Sequence, residues 1–293
     1  MTVAAAINAE GLKRDEAHER WALTSLTGPG VLLVTVILIL PVAWLFWLSL
    51  FDAEGHLSSI NYARLLEPVY IRTFWLTVEI SAIVTVSVLV LGFPLSYLLS
   101  QLPPRIAAVC LVFVVVPFWT SVLVRTYAWL VLLQRQGLIN GWLLKLGIID
   151  APLQLVHNMT GTVIGMTHVL LPYLVLPLYA SMKTIDRDYL KAAANCGAPP
   201  LLAFWQVFFP LCLPGLLAGL TLVFVLCLGF YVTPSLLGGG RISMWSMQIE
   251  NNISLYASWG AASSLGVVLL IVTLGTLYLL NRAFGIKRMY GAR

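Results

Sequence analysis

Long apolar runs alternate with short polar segments along most of the chain. The apolar runs lie at residues 29–51, 73–101, 106–133, 156–182, 211–237 and 260–281. Each is long enough to cross a bilayer as an α-helix, which needs about 20 residues. The pattern therefore predicts an all-α integral membrane protein with six transmembrane helices.

The composition agrees with this interpretation. Of 293 residues, 60% are hydrophobic and 10% are charged, whereas soluble domains carry roughly 25% charge. The first apolar run follows a basic segment, as a secretory signal does, but it is longer than the roughly 7 to 15 residues of a signal core and no small-residue cleavage site follows. We therefore expect one transmembrane domain at 28–284, with tails at 1–27 and 285–293.

The basic residues indicate an orientation. With a cytoplasmic N-terminus, eleven of the 17 Lys and Arg residues lie on the cytoplasmic side, five lie outside, and Arg125 lies within the third span. This bias predicts that both termini and the loop 183–210 are cytoplasmic. The net charge of +5 does not indicate nucleic acid binding, because the basic residues are spread along the loops.

The loop 183–210 contains the start and stop signals of a short helix. Asp186 is suited to cap a helix at 187–196, Gly197 to end it in a left-handed conformation, and Pro199 to prevent its continuation. A second short helix is predicted from Pro200, because proline favours the first helical position. Pro210 and Pro214 then mark the entry into the fifth span. A passive amphipathic connector on the membrane surface explains these signals equally well.

The stretch KAAANCGAPPLLAFWQVFFP, residues 191–210, resembles the cytoplasmic loop of binding-protein-dependent ABC importer permeases. That family pattern is Glu-Ala-Ala, three residues, Gly, nine residues, Ile, one residue, Leu-Pro. The spacing here is the same, but Lys191 replaces the acid, and Val207 and Phe209 replace Ile and Leu. Lys191 either points to solvent or lipid headgroups or meets a changed residue on its own ATPase. If the family's Glu braces the loop, Lys191 can do so only through a different acceptor, for instance Asp188, three positions earlier on the same helical face.

Three further segments resemble the spermidine/putrescine branch of these permeases. They are FWLTVEISAIVTVSVLVLGFPLSYLLS, PFWTSVLVRTYAWLVLL and LGFYVTPSLLGGGR. The resemblance implies the type I ABC importer permease fold in the bacterial inner membrane and uptake of a polyamine delivered by a periplasmic binding protein. It also implies a second permease subunit and a dimer of cytoplasmic ATPases. The loop helix would then be a coupling helix that docks on the ATPase through Lys191, Ala192, Ala193 and Gly197.

Two charged residues, Glu79 and Arg125, lie well inside predicted spans. A structural ion pair between them is one interpretation, because charges within spans are usually paired. In the other interpretations, Glu79 faces the pathway and attracts a polyamine, or both side chains extend to the interface. The candidate pathway residues are Glu79, Arg125, Tyr127, Trp129, Tyr231 and Pro234.

Two features near the predicted outer side have more than one interpretation. Eight of the ten tryptophans fall there, either as an interfacial belt or as cation–π surfaces for a cationic substrate: Trp44, Trp47, Trp75, Trp119, Trp129, Trp142, Trp245 and Trp259. Pro234 and the glycines at 238–240 predict either a bend in span five or a plain helix end.

The sequence offers no catalytic motif. It lacks a GxxxxGK[ST] phosphate loop, HExxH and GxSxG, so we expect a transport subunit without cofactors whose ATP is hydrolysed by a partner. His157 and His168 lie about 16 Å apart along one helix and cannot share a metal. The four cysteines show no CxxC spacing and are expected to be small core residues. A permease for another small solute and a stand-alone secondary transporter are the alternatives.

Overall fold

A computed structural model describes residues 2–52 and 55–284, which are mostly helical and contain no β-strand. The helices, in chain order, are α1 Thr2–Ser49, α2 Ile60–Ala63, α3 Pro68–Gln101, α4 Pro104–Val115, α5 Val122–Leu133, α6 Leu138–Lys145, α7 Met159–Lys183, α8 Arg187–Asn195, α9 Pro200–Ala203, α10 Phe209–Leu228, α11 Val232–Leu237, α12 Trp245–Ser254 and α13 Trp259–Phe284. Two 3₁₀ turns, Arg64–Leu66 and Val116–Trp119, and the π-helical turn Phe204–Phe208 join neighbouring helices.

In the part of the chain that the structure describes, five helices are long and apolar enough to cross a membrane. They are Ser25–Ser49, Pro68–Gln101, Met159–Lys183, Pro200–Leu228 and Trp259–Leu280. A bent pair of segments, Pro104–Trp119 and Val122–Lys145, supplies a sixth span. The predicted all-α membrane fold is therefore confirmed, with differences in the third and fifth spans.

The core lies where α3, α7 and α10 pack together. Each contributes fully buried aliphatic side chains, such as Ile80 and Val84 from α3, Leu170 and Leu174 from α7, and Val223 from α10. Apolar burial gives little advantage over lipid, so close van der Waals packing must hold membrane helices together. This three-helix core is the frame on which the remaining elements lie.

The predicted span 106–133 is not one continuous helix. The chain bends by 100° between Trp119 and Val122. Pro117 lacks an N–H and ends the regular helix, and Ser121 caps the next helix by accepting from the Leu123 N–H at 3.3 Å. The Pro117 carbonyl accepts from both the N–H and the hydroxyl of Thr120, so the break satisfies this backbone group locally.

The fifth span also differs from its predicted bounds of 211–237. It begins at Pro200, because the predicted second short helix continues through the π-helical turn into α10, and Pro214 lies inside that helix. It ends at Leu228, and α11 follows after a break. The glycines beyond α11 adopt positive φ, +55° at Gly239 and +77° at Gly240, which confirms the predicted departure from helix there.

The first helix lies at the edge of the molecule. Of residues 25–49 only Ser49, at the end of the helix, is buried, and α1 packs mainly against α13. Its C-terminal end is fixed by Asn61, whose amide donates to the carbonyls of Ser49 and Phe51. The predicted tail 1–27 is helical from residue 2, and the predicted tail 285–293 lies outside the described residues.

The cysteines divide into two groups. Cys212 and Cys227 are buried in the core, as predicted, and Cys110 is half-buried. Cys196 is exposed after α8, so its prediction as a core residue is wrong. It lies in the turn that Gly197 completes, where no helix covers it.

Candidate coupling and pathway site

The short helix α8 begins as its sequence predicts. The Asp186 carboxylate accepts from the Asp188 N–H at 2.9 Å, which satisfies one of the free donors of the first turn. Leu190 and Ala193 are half-buried, whereas Ala192 and Lys191 are exposed. One face of α8 therefore rests on the bundle and the other remains open.

The end of α8 is a Schellman turn centred on Gly197. The Ala198 N–H donates to the Ala193 carbonyl at 3.0 Å, and the Gly197 N–H donates to the Ala194 carbonyl at 2.9 Å. Gly197 has φ +83°, a left-handed conformation that favours glycine. No atom lies within 4 Å of the position that a Cβ would occupy, so the conformational requirement alone restricts this residue.

Lys191 pairs with Asp188, one of the acceptors that its sequence makes possible. Its ammonium lies 2.7 Å from the Asp188 carboxylate, and both side chains are more than 70% exposed. The hydrogen bond and the negative charge of Asp188 together raise the pKa of Lys191, so the ammonium stays charged throughout the physiological range. The contact is local to α8 and leaves its open face polar.

α8 is also attached to the bundle. The Arg187 guanidinium donates to the Gln101 carbonyl at the end of α3, at 3.3 Å. A cavity of about 330 Å³ lies between α8 and the ends of α3 and α7, with charged groups of Lys183 and Asp186 on its wall. One hydrogen bond thus links α8 to a core helix across an open space.

Three aromatic rings connect the segment after α8 to the core. The ring of Tyr97 on α3 lies 5.5 Å from Phe204 and 5.3 Å from Phe208, both edge-on, and the two phenylalanines stack at 5.6 Å. Such edge-to-face and offset arrangements are favourable for aromatic pairs. The cluster therefore joins the segment after α8 to α3.

The proposed ion pair between Glu79 and Arg125 does not form. Both residues are described by the structure, yet no ion pair joins them. The hypothesis assumed a straight third span beside α3. Instead, α5 turns away at the break and packs on α7 and α11, and it carries Arg125 away from α3. Glu79 is exposed on the outer side of α3.

Arg125 lies beside His168 and Trp129 near the middle of the bundle. The indole of Trp129 contacts the imidazole of His168 edge-on, with centroids 5.5 Å apart. Buried nitrogen atoms of both basic residues, Nε of Arg125 and Nδ1 of His168, have no hydrogen-bond partner among the described residues. This part of the bent span is thus electropositive and incompletely satisfied in the isolated chain.

The helices that follow the two breaks, α5 after the bend in the third span and α11 after the end of α10, meet at a pair of threonines. The hydroxyls of Thr126 on α5 and Thr233 on α11 lie 3.0 Å apart, and both side chains are fully buried. Next to them, Tyr127 is exposed and Pro234 is buried, with its carbonyl accepting from the Gly238 N–H. Of the candidate pathway residues, Trp129 and Pro234 are therefore packed inside this chain, whereas Tyr127 is open.

Tyr231 lies at the start of α11, in the break after α10. Its side chain is 38% exposed. Partial desolvation and the neighbouring Glu250 carboxylate raise the pKa of Tyr231. The Glu250 carboxylate also accepts from the Ser254 hydroxyl at 2.7 Å.

The tryptophans predicted near the outer side fall into two classes. Six of the eight are exposed, as a membrane-facing belt requires: Trp44, Trp47, Trp75, Trp119, Trp142 and Trp259. Trp245 is buried, and its indole N–H donates to the Leu265 carbonyl at 2.9 Å. Together with the half-buried Trp129, it packs within this chain.

Sequence reasoning missed the helix α12 and its residues. The apolar residues Trp245, Ile249 and Ile253 recur every four positions, a spacing that predicts a short amphipathic helix. The start of α12 is held against α3 by the Trp245 N–H, which donates to the Thr77 hydroxyl at 2.8 Å. Glu250 thus lies on a fixed element, although it falls between two predicted spans.

Comparison with known proteins identifies the family. The family described as "Binding-protein-dependent transport system inner membrane component" matches residues 74–286. The spermidine/putrescine transport system permease protein PotB of Haemophilus influenzae is 33% identical over 229 residues, which are 76% of this chain and 80% of that protein. A putative 2-aminoethylphosphonate transport system permease protein, PhnU of Salmonella typhimurium, is 24% identical over 251 residues, which are 84% of this chain and 86% of that protein.

Solved structures show the same fold. A bacterial alginate ABC transporter, crystallised in complex with a periplasmic protein bound to an alginate pentasaccharide, includes a chain that matches with a TM-score of 0.71. The match covers 95% of this chain and 98% of that chain at 16% identity. This chain therefore belongs to the family of binding-protein-dependent transport system inner membrane components, and it is a multi-pass transport subunit of the inner membrane.

Proposed function

We propose that this chain is a permease subunit of an ATP-driven importer for a polyamine, spermidine or putrescine. The observation that carries the proposal is the 33% identity over 76% of the chain to a permease named for spermidine and putrescine. The transporter would contain a second permease, a dimer of ATPases and a periplasmic binding protein that delivers the solute. The solved relative in complex with a periplasmic protein supports the last of these.

In this proposal α8 is the coupling helix and contacts the ATPase. Its open face carries Lys191 and Ala192, its end is fixed by Gly197, and Arg187 and the aromatic cluster connect it to the core. The bias of Lys and Arg in the loops supports an orientation with α8 and both termini in the cytoplasm. ATP-driven movement at α8 would then reach α3 and α10 first.

Glu79 would face the second permease or the pathway between the two permeases. An exposed carboxylate in the middle of an apolar helix is costly against lipid. A partner subunit or water-filled path would remove that cost. Tyr127 and Tyr231 are exposed as well and are assigned to the same path. Arg125, Trp129 and Pro234 would shape its wall.

Reconstitution tests the proposal. The chain is assembled in liposomes with its ATPase, second permease and binding protein, and uptake of labelled putrescine is measured. We expect uptake that requires ATP and the loaded binding protein. Uptake by the permeases alone would show a secondary transporter and overturn the proposal.

A second candidate solute is 2-aminoethylphosphonate, because a permease named for it is similar over 84% of this chain. Both solutes carry a primary ammonium, but only the phosphonate carries an anion. Competition between the two in the same liposomes distinguishes them. Putrescine uptake that excess 2-aminoethylphosphonate leaves unchanged supports the polyamine assignment.

A further inference from the structure

The cavity between α8 and the ends of α3 and α7 is lined by both apolar and charged side chains. Met182 and Phe208 in its wall are buried, and Ile185 and Leu190 are half-buried. Its volume of about 330 Å³ lies within the range of small-molecule sites, about 300–1,000 Å³. The charged residues of the wall are Lys183, Asp186, Arg187, Asp188 and Lys191. The cavity therefore suits a group that is charged on one side and apolar on the other.

The acidic residues of the cavity already have partners. The Asp188 carboxylate lies 2.7 Å from the Lys191 ammonium, and the Asp186 carboxylate caps α8 by accepting from the Asp188 N–H at 2.9 Å. Neither Lys183 nor Arg187 forms an ion pair with any residue that the structure describes. Since three basic residues face two acidic ones, the wall keeps a net positive charge and favours an external anion.

The donors of Lys183 and Arg187 match those that bind phosphate in proteins. Arg187 uses its Nη2 group to donate to the Gln101 carbonyl at 3.3 Å, and a guanidinium has further N–H groups beside it. These groups form paired, charge-assisted hydrogen bonds with phosphate oxygens. Lys183 supplies an ammonium from the last turn of α7. The two cations thus reach the same cavity from two different helices.

The position of the cavity along the spans indicates where the phosphate comes from. α3 ends at Gln101 and α7 ends at Lys183, and both helices are long and apolar enough to cross a membrane. The ends of such helices lie at the level of the lipid headgroups. Basic pockets between membrane helices at this level bind anionic headgroups. A lipid is therefore the source of phosphate nearest to the cavity.

We infer that the cavity binds the phosphate of an anionic phospholipid headgroup through Lys183 on α7 and Arg187 on α8. The headgroup would connect α8 to the end of a core helix, next to the hydrogen bond from Arg187 to Gln101. Anionic lipid would thereby strengthen the attachment of α8 to the bundle. This site goes beyond the proposed function and does not depend on which solute is imported.

The experiment measures the affinity of the full chain for phosphatidylglycerol by native mass spectrometry in detergent. A basic residue beside an anionic headgroup strengthens binding about fivefold, so Lys183→Gln and Arg187→Gln should each weaken it by about that factor. Lys183→Arg keeps the charge and should stay within about twofold of the wild type. Arg105→Gln is the matched control, because Arg105 is exposed at the start of α4 and does not line the cavity. Its affinity should equal that of the wild type.

Wild-type affinity in the Lys183→Gln, Arg187→Gln double variant would overturn the inference. An equal loss in Arg105→Gln, or equal binding of phosphatidylcholine, would also overturn it, because either result means a general attraction to lipid. Inorganic phosphate that binds as tightly as phosphatidylglycerol would rule out lipid as the source.

If Arg187→Gln reduces the folded yield by breaking the bond to Gln101, Lys183→Gln tests the site alone, since Lys183 is exposed. Unchanged affinity in Lys183→Gln would then contradict the site. Lack of amine uptake by the wild-type importer would contradict only the proposed function, because lipid binding is measured without transport.

Discussion

The bonds that begin and end α8 are local, whereas the bent third span also depends on a distant partner. The long-range bond of α8, from Arg187 to Gln101, attaches the helix to the bundle without forming its ends. In α8, Asp186 bonds to a group two residues away, Lys191 to one three residues away, and Ala198 to one five residues away. In the bent span, Thr126 contacts Thr233, 107 residues further along the chain. The buried Nε of Arg125 finds no partner among the described residues.

This difference indicates two kinds of stability. The shape of α8 is determined by its own sequence. It should therefore tolerate exchanges of exposed side chains, but not a residue at 197 that cannot adopt the left-handed conformation of the final turn. The shape of the bent span depends on distant helices, so it should respond to the loss of a single remote partner. Each of the changes below tests one side of this contrast.

The largest effect is expected for Gly197→Val. A β-branched residue at φ +83° costs on the order of 1–3 kcal/mol, and the turn would have to change shape. Uptake in the reconstituted importer should fall about tenfold or more, whereas membrane insertion and ATP hydrolysis continue. Gly197→Asn is the matched control, because asparagine tolerates the left-handed region. Normal coupling in Gly197→Val would remove Gly197 from the docking surface.

The second largest effect is expected for changes in the pair of threonines Thr126 and Thr233. Thr126 donates to the Val122 carbonyl, so the Thr233 hydroxyl depends on Thr126 as its acceptor. Thr126→Val would leave Thr233 buried without a partner and should cost about 1–2 kcal/mol in the free energy of unfolding, measured in detergent. Thr233→Val should cost about 0.6 kcal/mol, the average of hydrogen bonds between membrane helices.

Thr276→Val in α13 is the control for both threonine changes. The Thr276 hydroxyl bonds only to the Val272 carbonyl of its own helix, so its loss should matter little. If all three variants lose the same stability, the contact between α5 and α11 contributes nothing beyond a local hydrogen bond, and the bent span does not depend on its distant partner.

The same contrast explains which features could be predicted from sequence. The cap at Asp186 and the stop at Gly197 depend on residues within a few positions, and both are confirmed. The pair of Lys191 with Asp188 is equally local, and the sequence offered it as one possibility. The spans were recognised by their apolar length. The break at Pro117 and Ser121 carried local signals, but the unbroken apolar run around them favoured a continuous helix.

Other features lay beyond any local signal. The position of α12 depends on the hydrogen bond from the Trp245 N–H to Thr77, which lies 168 residues earlier in the chain. Nothing in the sequence near either residue indicates this contact. The expected pair of Glu79 and Arg125 failed for a related reason, because it was placed on two straight neighbouring helices. Once the third span bends, the charged residues are carried apart.

A small effect is expected for Lys191→Glu. The change removes the ion pair and sets a second carboxylate near Asp188, but both side chains are more than 70% exposed, where such pairs contribute little. Uptake should stay within about threefold of the wild type, and Lys191→Gln should lie between the two. A collapse of uptake in Lys191→Glu that a charge change on the ATPase rescues would show a specific contact across the interface.

The smallest effect is the coupling between Glu79 and Arg125. The two side chains belong to different surfaces of the chain, Glu79 outside on α3 and Arg125 beside His168, with no ion pair between them. The effects of changes at separate sites on the free energy of unfolding add to within about 0.3–0.5 kcal/mol. The loss of stability in the Glu79→Gln, Arg125→Gln double variant should therefore equal the sum of the losses in the two single variants. Arg125→Gln alone should not destabilise the chain by stranding a carboxylate, because Glu79 is not its partner. Glu79→Gln should instead affect assembly with the second permease or uptake. Recovery of stability in the double variant would mean that the two charges meet in the membrane after all, and that the third span straightens there.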